Sequence, residues 1–432
     1  MPAPDSLAAW LAHLEALRPQ GAAGIELGLD RVQAVKDALG QRQRVPVFTV
    51  GGTNGKGSTC AMLERILGCA GYRVGLYTSP HLLSYRERVR VGGADSDEAT
   101  LCAAFGRVEA ARQAAGNIPL TYFEFGTLAA WECFAAQQVD VVILEVGLGG
   151  RLDAVNCYDA DCAIVTGIDL DHTDYLGATR EAIGFEKAGI FRTGRPAVCG
   201  DPAPPRSLVA HAQSIGADLQ LIGRDFGYRN QETQWQFWGR AGKKSGLAHP
   251  ALRGAHQLGN ASAVLCALET LSARLPVAMQ DIRRGLAEVE LSGRFEVLPG
   301  RPTVVLDVAH NPQAARSFAA NLGDMGFYPQ TWAVFGMLRD KDIAAVVGAL
   351  KDRVTHWLPC SLDGPRAASA ALLAQLVKEQ GGVEQNGPLP QFATPAEAFR
   401  YARGRANESD RIAVFGSFLT VADVLRELAR KT

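Results

Sequence analysis

Phe48-Thr-Val-Gly-Gly-Thr-Asn-Gly-Lys-Gly-Ser-Thr59 is the stretch from which the rest of the chain is read. A β-type run ends in clustered glycines and a lysine, and a helix-like pattern follows at once. Such a segment can wrap backbone N–H groups around phosphates and set a helix N-terminus and an ammonium against their charge. It departs from the G-x-x-x-x-G-K-[ST] phosphate loop: Val50 and Gly57 stand at defining positions, and the hydroxyls are displaced to Ser58 and Thr59. The physical roles survive. Gly51, Gly52, Gly55 and Gly57 permit close backbone approach, and Lys56 can reach β- and γ-phosphates. The bland alternative is a glycine-rich strand-to-helix turn with an exposed lysine. A strand before and a helix after favour phosphate binding.

Outward from this loop, strand and helix patterns alternate. Residues 45–50 read as the strand feeding it, and 58–70 as a helix with Met62, Leu63, Ile66 and Leu67 on one face. Residues 74–78 and 162–168 read as further strands. The nearly continuous apolar run 139–146 suits a parallel strand buried on both faces. Upstream, 10–17 and 30–39 are spaced as helices around a glycine-rich loop at 21–28. Between 201 and 250 the texture changes. A proline-rich turn or linker at 201–205 precedes alternation around Trp235-Gln-Phe-Trp238, which predicts short antiparallel strands. Residues 259–271 return to helix.

The breakers Pro299-Gly-Arg-Pro302 open a second unit with strands at 303–308, 332–335 and 412–415. Asn311-Pro312 offers an N-cap and a first-turn proline for the helix between the first two. The expected fold is α/β: a nucleotide-binding domain over 1–298 with a mainly parallel sheet, then a smaller Rossmann-like α/β domain over 299–432.

At 432 residues the chain suits two domains of unequal size, with 47% hydrophobic and 21% charged residues. Its 44 basic and 45 acidic side chains leave a net charge of -1, so nothing draws it to nucleic acid or anionic lipid. An anionic substrate must be met by local basic groups. Nine cysteines are scattered without a C-x-x-C pair or zinc spacing, as reduced thiols in a cytosolic setting would be. Met1-Pro-Ala-Pro-Asp5 lacks a signal-peptide layout, and no apolar run approaches the roughly 18 residues that span a bilayer. A cytoplasmic enzyme is expected.

A phosphate-bound Mg²⁺ needs hard oxygen ligands at neighbouring strand ends. Glu145 closes the most apolar strand, Ser79 follows the strand at 74–78, and His172 follows the one at 162–168. Each has a plain alternative as a strand exit, a turn former and a solvated imidazole; their joint placement at strand ends around the loop favours function. Lys187, in Gly184-Phe-Glu-Lys-Ala-Gly-Ile190, reads locally as a surface lysine at a helix end. Asp307 ends a strand and His310 precedes the Asn-Pro cap. They could orient a nucleotide or a nucleophile, or could simply cap the helix.

Six motifs then occur in order: Gly52-Thr-Asn-Gly-Lys-Gly-Ser58, Thr78-Ser-Pro-His81, Glu145-Val-Gly-Leu-Gly-Gly-Arg-Leu-Asp153, Asp171-His-Thr-Asp174, Glu186-Lys-Ala-Gly-Ile190 and Asp307-Val-Ala-His-Asn-Pro312. With them the chain closely resembles folylpolyglutamate synthases, and more specifically the bacterial bifunctional dihydrofolate synthase/folylpolyglutamate synthases of the Mur ligase superfamily. The resemblance runs from about residue 5 to the C-terminus. It implies a Mur-ligase-type P-loop ATPase domain carrying the pterin site, followed by a glutamate-binding domain. The implied activity is ATP-dependent ligation of L-glutamate to dihydropteroate and reduced folates through an acyl phosphate.

The resemblance also assigns residues. Thr53, Asn54, Gly55, Lys56, Gly57 and Ser58, with Asn260, Arg294 and Asp307, would bind ATP. Ser79, Glu145 and His172 would hold Mg²⁺, and Lys187, once carbamylated, would help order a second ion. Glu26, Leu27, Gly28 and Leu29, the segment Thr121, Tyr122, Phe123 and Glu124, and Arg151, Leu152 and Asp153 correspond to the pterin and folate regions. Tyr122 and Phe123 could stack on a flat ring and Glu124 accept its N–H donors, the alternative being core aromatics at a helix start. His310 and Ser417 would line the incoming glutamate, so that Lys56, Lys187 and His310 form the catalytic set. ATP and two Mg²⁺ ions are the expected cofactors, with a monovalent cation as an added candidate. The expected partners are small molecules met by a monomer, without nucleic acid or membrane.

A monofunctional folylpolyglutamate synthase is the near rival; the 26–29 loop and 121–125 favour the bifunctional form. A P-loop regulator without ligase activity would need neither the metal-ligand candidates nor a second α/β domain. A cell-wall Mur ligase would be expected to carry a further N-terminal substrate domain, and the loop begins only about 50 residues in.

Overall fold

The computed structural model describes residues 4–17, 26–382 and 389–430. Residues 21–25 of the expected glycine-rich loop and 1–3 of the N-terminal stretch lie outside them. The chain divides into two compact units: Met1–Ala251 with Leu258–Val289, and Leu252–Gln257 with Glu290–Thr432.

In the first unit, helices α1 (Leu7–Ala16) and α2 (Asp30–Leu39) precede β1 (Val47–Gly51) and α3 (Lys56–Cys69). Next come β2 (Val74–Tyr77), β3 (Val89–Val91), β4 (Ala94–Asp95), α4 (Glu98–Ala114), α5 (Tyr122–Ala136) and β5 (Val141–Glu145). They are followed by β6 (Cys162–Val165), α6 (Thr173–Leu176), α7 (Arg180–Ala188), β7 (Pro196–Cys199), α8 (Arg206–Ser214) and β8 (Asp218–Leu221). A three-stranded antiparallel sheet of β9 (Gly227–Asn230), β10 (Trp235–Gly239) and β11 (Gly242–Leu247) leads to α9 (His256–Thr270) and α10 (Met279–Glu288). The alternation around Trp235 is therefore a sheet, as read. The proline-rich stretch at 201–205 is a turn between β7 and α8 inside this unit, anchored by the buried Asp201 carboxylate on the Ile168 N–H (2.7 Å) and on Arg180 (3.0 Å).

The main sheet has the order β4-β3-β2-β5-β1-β6-β7-β8, with only β3 running against the other strands. Every residue of β1 and β5 is buried, as their largely apolar sequences require of central parallel strands. The connection from β1 to β2 passes over β5, whereas that from β5 to β6 passes over β1. Where connections diverge in this way, the carboxyl ends of the strands leave a crevice for ligands. Helix α3 buries Met62, Leu63, Ile66 and Leu67 on the expected face.

The second unit contains β12 (Glu296–Leu298), β13 (Thr303–Leu306), α11 (Pro312–Asp324), β14 (Thr331–Phe335), α12 (Ile343–Leu350) and β15 (His356–Pro359). Helices α13 (Ala370–Glu379) and α14 (Pro395–Arg403) then lead to β16 (Arg411–Phe415) and α15 (Phe418–Ala429). The sheet order is β12-β13-β16-β14-β15, parallel apart from β12. The unit starts at Glu290 rather than at the breakers, because β12 pairs antiparallel with β13 and residues 299–302 are the turn between them. Asn311 caps α11 by accepting the Ala314 N–H at 2.9 Å, with Pro312 in the first turn. Among the described residues no helix is long and apolar enough to cross a membrane.

Candidate active site

The glycine-lysine loop joins the end of β1 to α3. Gly55 is the N-cap residue in left-handed geometry (φ 90°), and no side chain caps this helix. The first-turn N–H groups form the end of positive partial charge of this helix. Gly52 has φ 142°, and a Cβ there would lie 1.8 Å from the Thr166 Oγ1. Only glycine suits that position. The exit of β6 braces the loop: Thr166 donates to the Asn54 carbonyl (2.6 Å), and the Thr53 N–H donates to the Gly167 carbonyl (2.8 Å). Asn260, on α9, abuts the loop, its Oδ1 2.7 Å from where a Gly55 Cβ would stand.

Two ammonium groups share one carbonyl here. Lys56 donates to the Gly52 oxygen at 3.0 Å, and so does Lys187 from α7, also at 3.0 Å. Lys187 is only 4% exposed, so it is not a surface lysine. Burial, assisted by repulsion from Lys56, brings its ammonium down to about 7. Near neutrality Lys187 is therefore partly a neutral, nucleophilic amine.

Beside the loop, Glu145 at the end of β5 is in register with Val50 of β1 and is 2% exposed. The Thr78 hydroxyl donates to it. Ser79 follows directly, and His172 caps the short α6 in left-handed geometry (φ 51°), its N–H donating to Asp171 at 2.9 Å. Among the described residues no three or more His, Cys, Asp or Glu side chains gather as a ready metal cage. Mg²⁺ seldom uses such a cage; it takes one or two carboxylates, waters and substrate phosphates. A buried carboxylate beside the phosphate loop, with Ser79 next to the Thr78 that donates to it, fits that donor set.

A cavity of about 410 Å³ opens next to these residues and is lined by Ser79 and His172 among others. Glu26, Leu27 and Gly28 form part of its rim, Thr121, Tyr122, Phe123 and Glu124 another wall, and Leu152 and Asp153 a third. Leu29 and Arg151, expected with them, lie elsewhere. Leu29 packs against the core as the N-cap residue of α2. Arg151 bonds Glu186 (2.8 Å) and covers the Phe185 ring (5.7 Å).

Glu124 is also not the open acceptor expected of it. One carboxylate oxygen accepts the Thr121 N–H (2.7 Å) in a reciprocal capping box, and the other accepts from Arg31 (2.9 Å). Asp153, 3% exposed, accepts from the Leu148 and Val155 N–H groups (2.8 and 3.1 Å), and burial pushes its carboxyl up to about 7. Sequence reasoning missed Glu15, His81 and Arg88 in this wall. Arg88 donates to the His81 Nδ1 (2.8 Å) and lies over the rings of Tyr85 (5.4 Å) and Tyr122 (5.5 Å).

In the second unit, Asp307 at the end of β13 accepts from the Phe295 and Ala309 N–H groups (2.9 and 2.8 Å). Burial pushes it up to about 6, while the Arg294 guanidinium pulls the other way. Arg294 covers the Phe418 ring at 5.3 Å, and His310 meets the same ring at 6.3 Å. Ser417 caps α15 beside them, accepting the Leu419 N–H at 3.2 Å. Because a carbonyl only accepts, the bond from His310 Nδ1 to the Val308 oxygen (2.8 Å) puts the proton on Nδ1 and leaves Nε2 the acceptor of the neutral ring. Sequence reasoning missed Phe418, the ring that gathers this group. Asn260 belongs to the first unit, and Arg294 and Asp307 to the second.

The Mur ligase middle domain matches residues 50–268, and the Mur ligase, glutamate ligase domain matches residues 293–418. The dihydrofolate synthase/folylpolyglutamate synthase of Escherichia coli (strain K12) is 46% identical over 424 residues, which is 98% of this chain and 96% of that protein. A solved structure of E. coli FolC in complex with DHPP and ADP matches with a TM-score of 0.92 and 44% identity, over 100% of this chain and 99% of that one. A bifunctional folylpolyglutamate synthase/dihydrofolate synthase crystallised with Mn, AMPPNP and L-glutamate matches with a TM-score of 0.89 and 44% identity, over 99% of each chain. With a phosphate loop, a buried carboxylate beside it and both ligase domains matched in order, the chain belongs to the Mur ligase superfamily and, within it, to the dihydrofolate synthase/folylpolyglutamate synthase family.

Proposed function

We propose that the chain is an ATP-dependent ligase that joins L-glutamate to dihydropteroate, giving dihydrofolate, and to reduced folates, giving folylpolyglutamates. The observation that carries this reading is the phosphate loop, with Lys56 and Lys187 on one loop carbonyl, in the same unit as a cavity walled by Tyr122, Phe123 and Asp153. The relatives solved with ADP or AMPPNP, Mn and L-glutamate support it.

In the first step an oxygen of the acceptor carboxylate attacks the γ-phosphorus, forming a C–O–P bond while the bond to ADP breaks. In the second, the glutamate amine attacks the acyl carbon, and phosphate leaves with the bridging oxygen. Lys56 and the N-terminus of α3 stabilise negative charge as it shifts among phosphate oxygens. Tyr122 and Phe123 provide flat apolar surface for the pterin ring, and Asp153 a buried carboxyl. His310, with Nε2 as acceptor, is suited to take a proton from the glutamate ammonium.

Mg²⁺, when bound, neutralises phosphate charge, and Ser79, Glu145 and His172 are the residues that would hold it. Lys187 as a partly neutral amine suits reaction with CO₂, and the resulting carbamate would present a carboxylate toward a second ion. Two Mg²⁺ ions, a monovalent cation, a monomeric state, small-molecule partners without nucleic acid or membrane, and cytoplasmic residence complete the reading. The test is positional isotope transfer from dihydropteroate labelled with ¹⁸O in its carboxylate. One labelled oxygen should appear in each phosphate released as dihydrofolate forms. Unlabelled phosphate alongside dihydrofolate would contradict the acyl phosphate.

A further inference from the structure

We infer that Arg31 is a positioning residue for the acceptor cavity, tying the cavity's rim to the cap of the helix that supplies its aromatic wall. Arg31 is the second residue of α2 and does not itself line the cavity, so it acts through its neighbours. On one side its guanidinium donates to the Glu26 side chain (2.6 Å) and to the Glu26 backbone carbonyl (3.1 Å). On the other, it donates through Nη2 (2.9 Å) and Nε (3.2 Å) to the Glu124 carboxylate, whose side chain is 3% exposed. Glu124 in turn holds the Thr121 N–H and so fixes the first turn of α5, which carries Tyr122 and Phe123 into the cavity. The far end of the rim is held separately by the Gly28 N–H on the Leu152 carbonyl at 3.1 Å. Rim and aromatic wall are thus spaced by one planar cation.

The chemistry of the guanidinium makes this specific. Its donors are arranged in a rigid fork that serves two carboxylates and a carbonyl at once, whereas a lysine ammonium is a point charge on a flexible stem. The ion pair to the half-exposed Glu26 side chain contributes little stability by itself. The backbone carbonyl contact is what restrains the rim. A lysine at this position can keep Glu124 neutralised in its buried site while releasing Glu26 to Gly28. The expected consequence is loss of acceptor affinity with little change in the nucleotide site or in folding.

This inference rests on the reading of the cavity as the acceptor site, and its test separates the two. R31K and R31M are made in the full-length chain, and steady-state kinetics are run with dihydropteroate varied and then with ATP varied. In R31K the KM for dihydropteroate should rise about tenfold, the effect of losing one charge-assisted hydrogen-bonded link. Its kcat, its KM for ATP and its melting temperature should stay close to wild type. R31M should raise the same KM further and also lower the melting temperature, since it leaves Glu124 buried without its cation. Direct titration of dihydropteroate against intrinsic fluorescence, without ATP, gives the same comparison independently of turnover. An acceptor KM and Kd in R31K within twofold of wild type would overturn the inference, as would an equal rise in the KM for ATP. A wild-type chain that binds dihydropteroate without turning it over would instead sink the ligase reading while leaving the Arg31 comparison intact.

Discussion

Replacing Gly52 by alanine probes the phosphate loop at its most constrained point. Two costs arise. An L-residue at φ 142° occupies a region nearly reserved for glycine, at about 1–3 kcal/mol. The new methyl would also fall 1.8 Å from the Thr166 Oγ1, so Thr166 must turn away and lose its bond to the Asn54 carbonyl. That adds about 1 kcal/mol. The sum, roughly 2–4 kcal/mol, is a large share of an ordinary folding free energy. At about 2–4 °C per kcal/mol, the melting of the first unit should fall by roughly 5–15 °C. Activity should fall further than stability explains, because the displaced peptide carries the oxygen that receives both Lys56 and Lys187. Gly194→Ala is the control: φ is 67° and no atom lies within 4 Å of the added methyl, so only a backbone cost of about 1 kcal/mol applies. Adding Thr166→Ala to Gly52→Ala should recover the steric part alone. Calorimetry and ATP-dependent phosphate release at 25 °C decide the matter. A Gly52→Ala protein that melts with the Gly194→Ala control and turns over normally would refute the reasoning.

Glu145→Gln keeps an oxygen for the Thr78 hydroxyl but removes the charge, so half-maximal activity should need about tenfold more Mg²⁺; an unchanged magnesium titration would strip Glu145 of its ligand role. Lys187→Ala should be slow but partly rescued by small carboxylic acids, and indifference to them would speak against a carbamate. His356, stacked on Trp332 at 4.0 Å and bonded to Gln330 at 2.6 Å, has its imidazolium disfavoured by burial. The unfolded chain therefore binds a proton that the folded one resists, and stability present above pH 6.5 should be lost as pH falls below it. Melting curves of wild type and His356→Phe between pH 5 and 7.5 test this; equal slopes would exclude His356 as the cause.

Local features were the legible ones. The apolar run ending at Glu145, the loop itself and the Asn311-Pro312 cap can each be read within a dozen residues, because burial on both faces, backbone freedom and capping leave direct marks on composition. The short strands β3, β4 and β8 escaped reading, since segments of two to four residues carry little periodicity. Lys187 looked like a surface lysine because its burial comes from packing near Gly52, 135 residues away. Arg88 and Glu15 reach the cavity for the same kind of reason, from elements that meet only in three dimensions. Glu124 is different: Thr121-Tyr-Phe-Glu124 has capping-box spacing, so its engagement by the helix start was visible in the sequence. The arginine on its other side was not.

Phosphate release from the wild-type chain supplied with ATP, Mg²⁺ and L-glutamate, and with dihydropteroate or tetrahydrofolate as acceptor, is the most direct test of the ligase activity. Release with each acceptor, and none when glutamate or acceptor is withheld, is the predicted result. Release with tetrahydrofolate alone would contradict the bifunctional assignment, and release with neither acceptor would contradict the ligase itself.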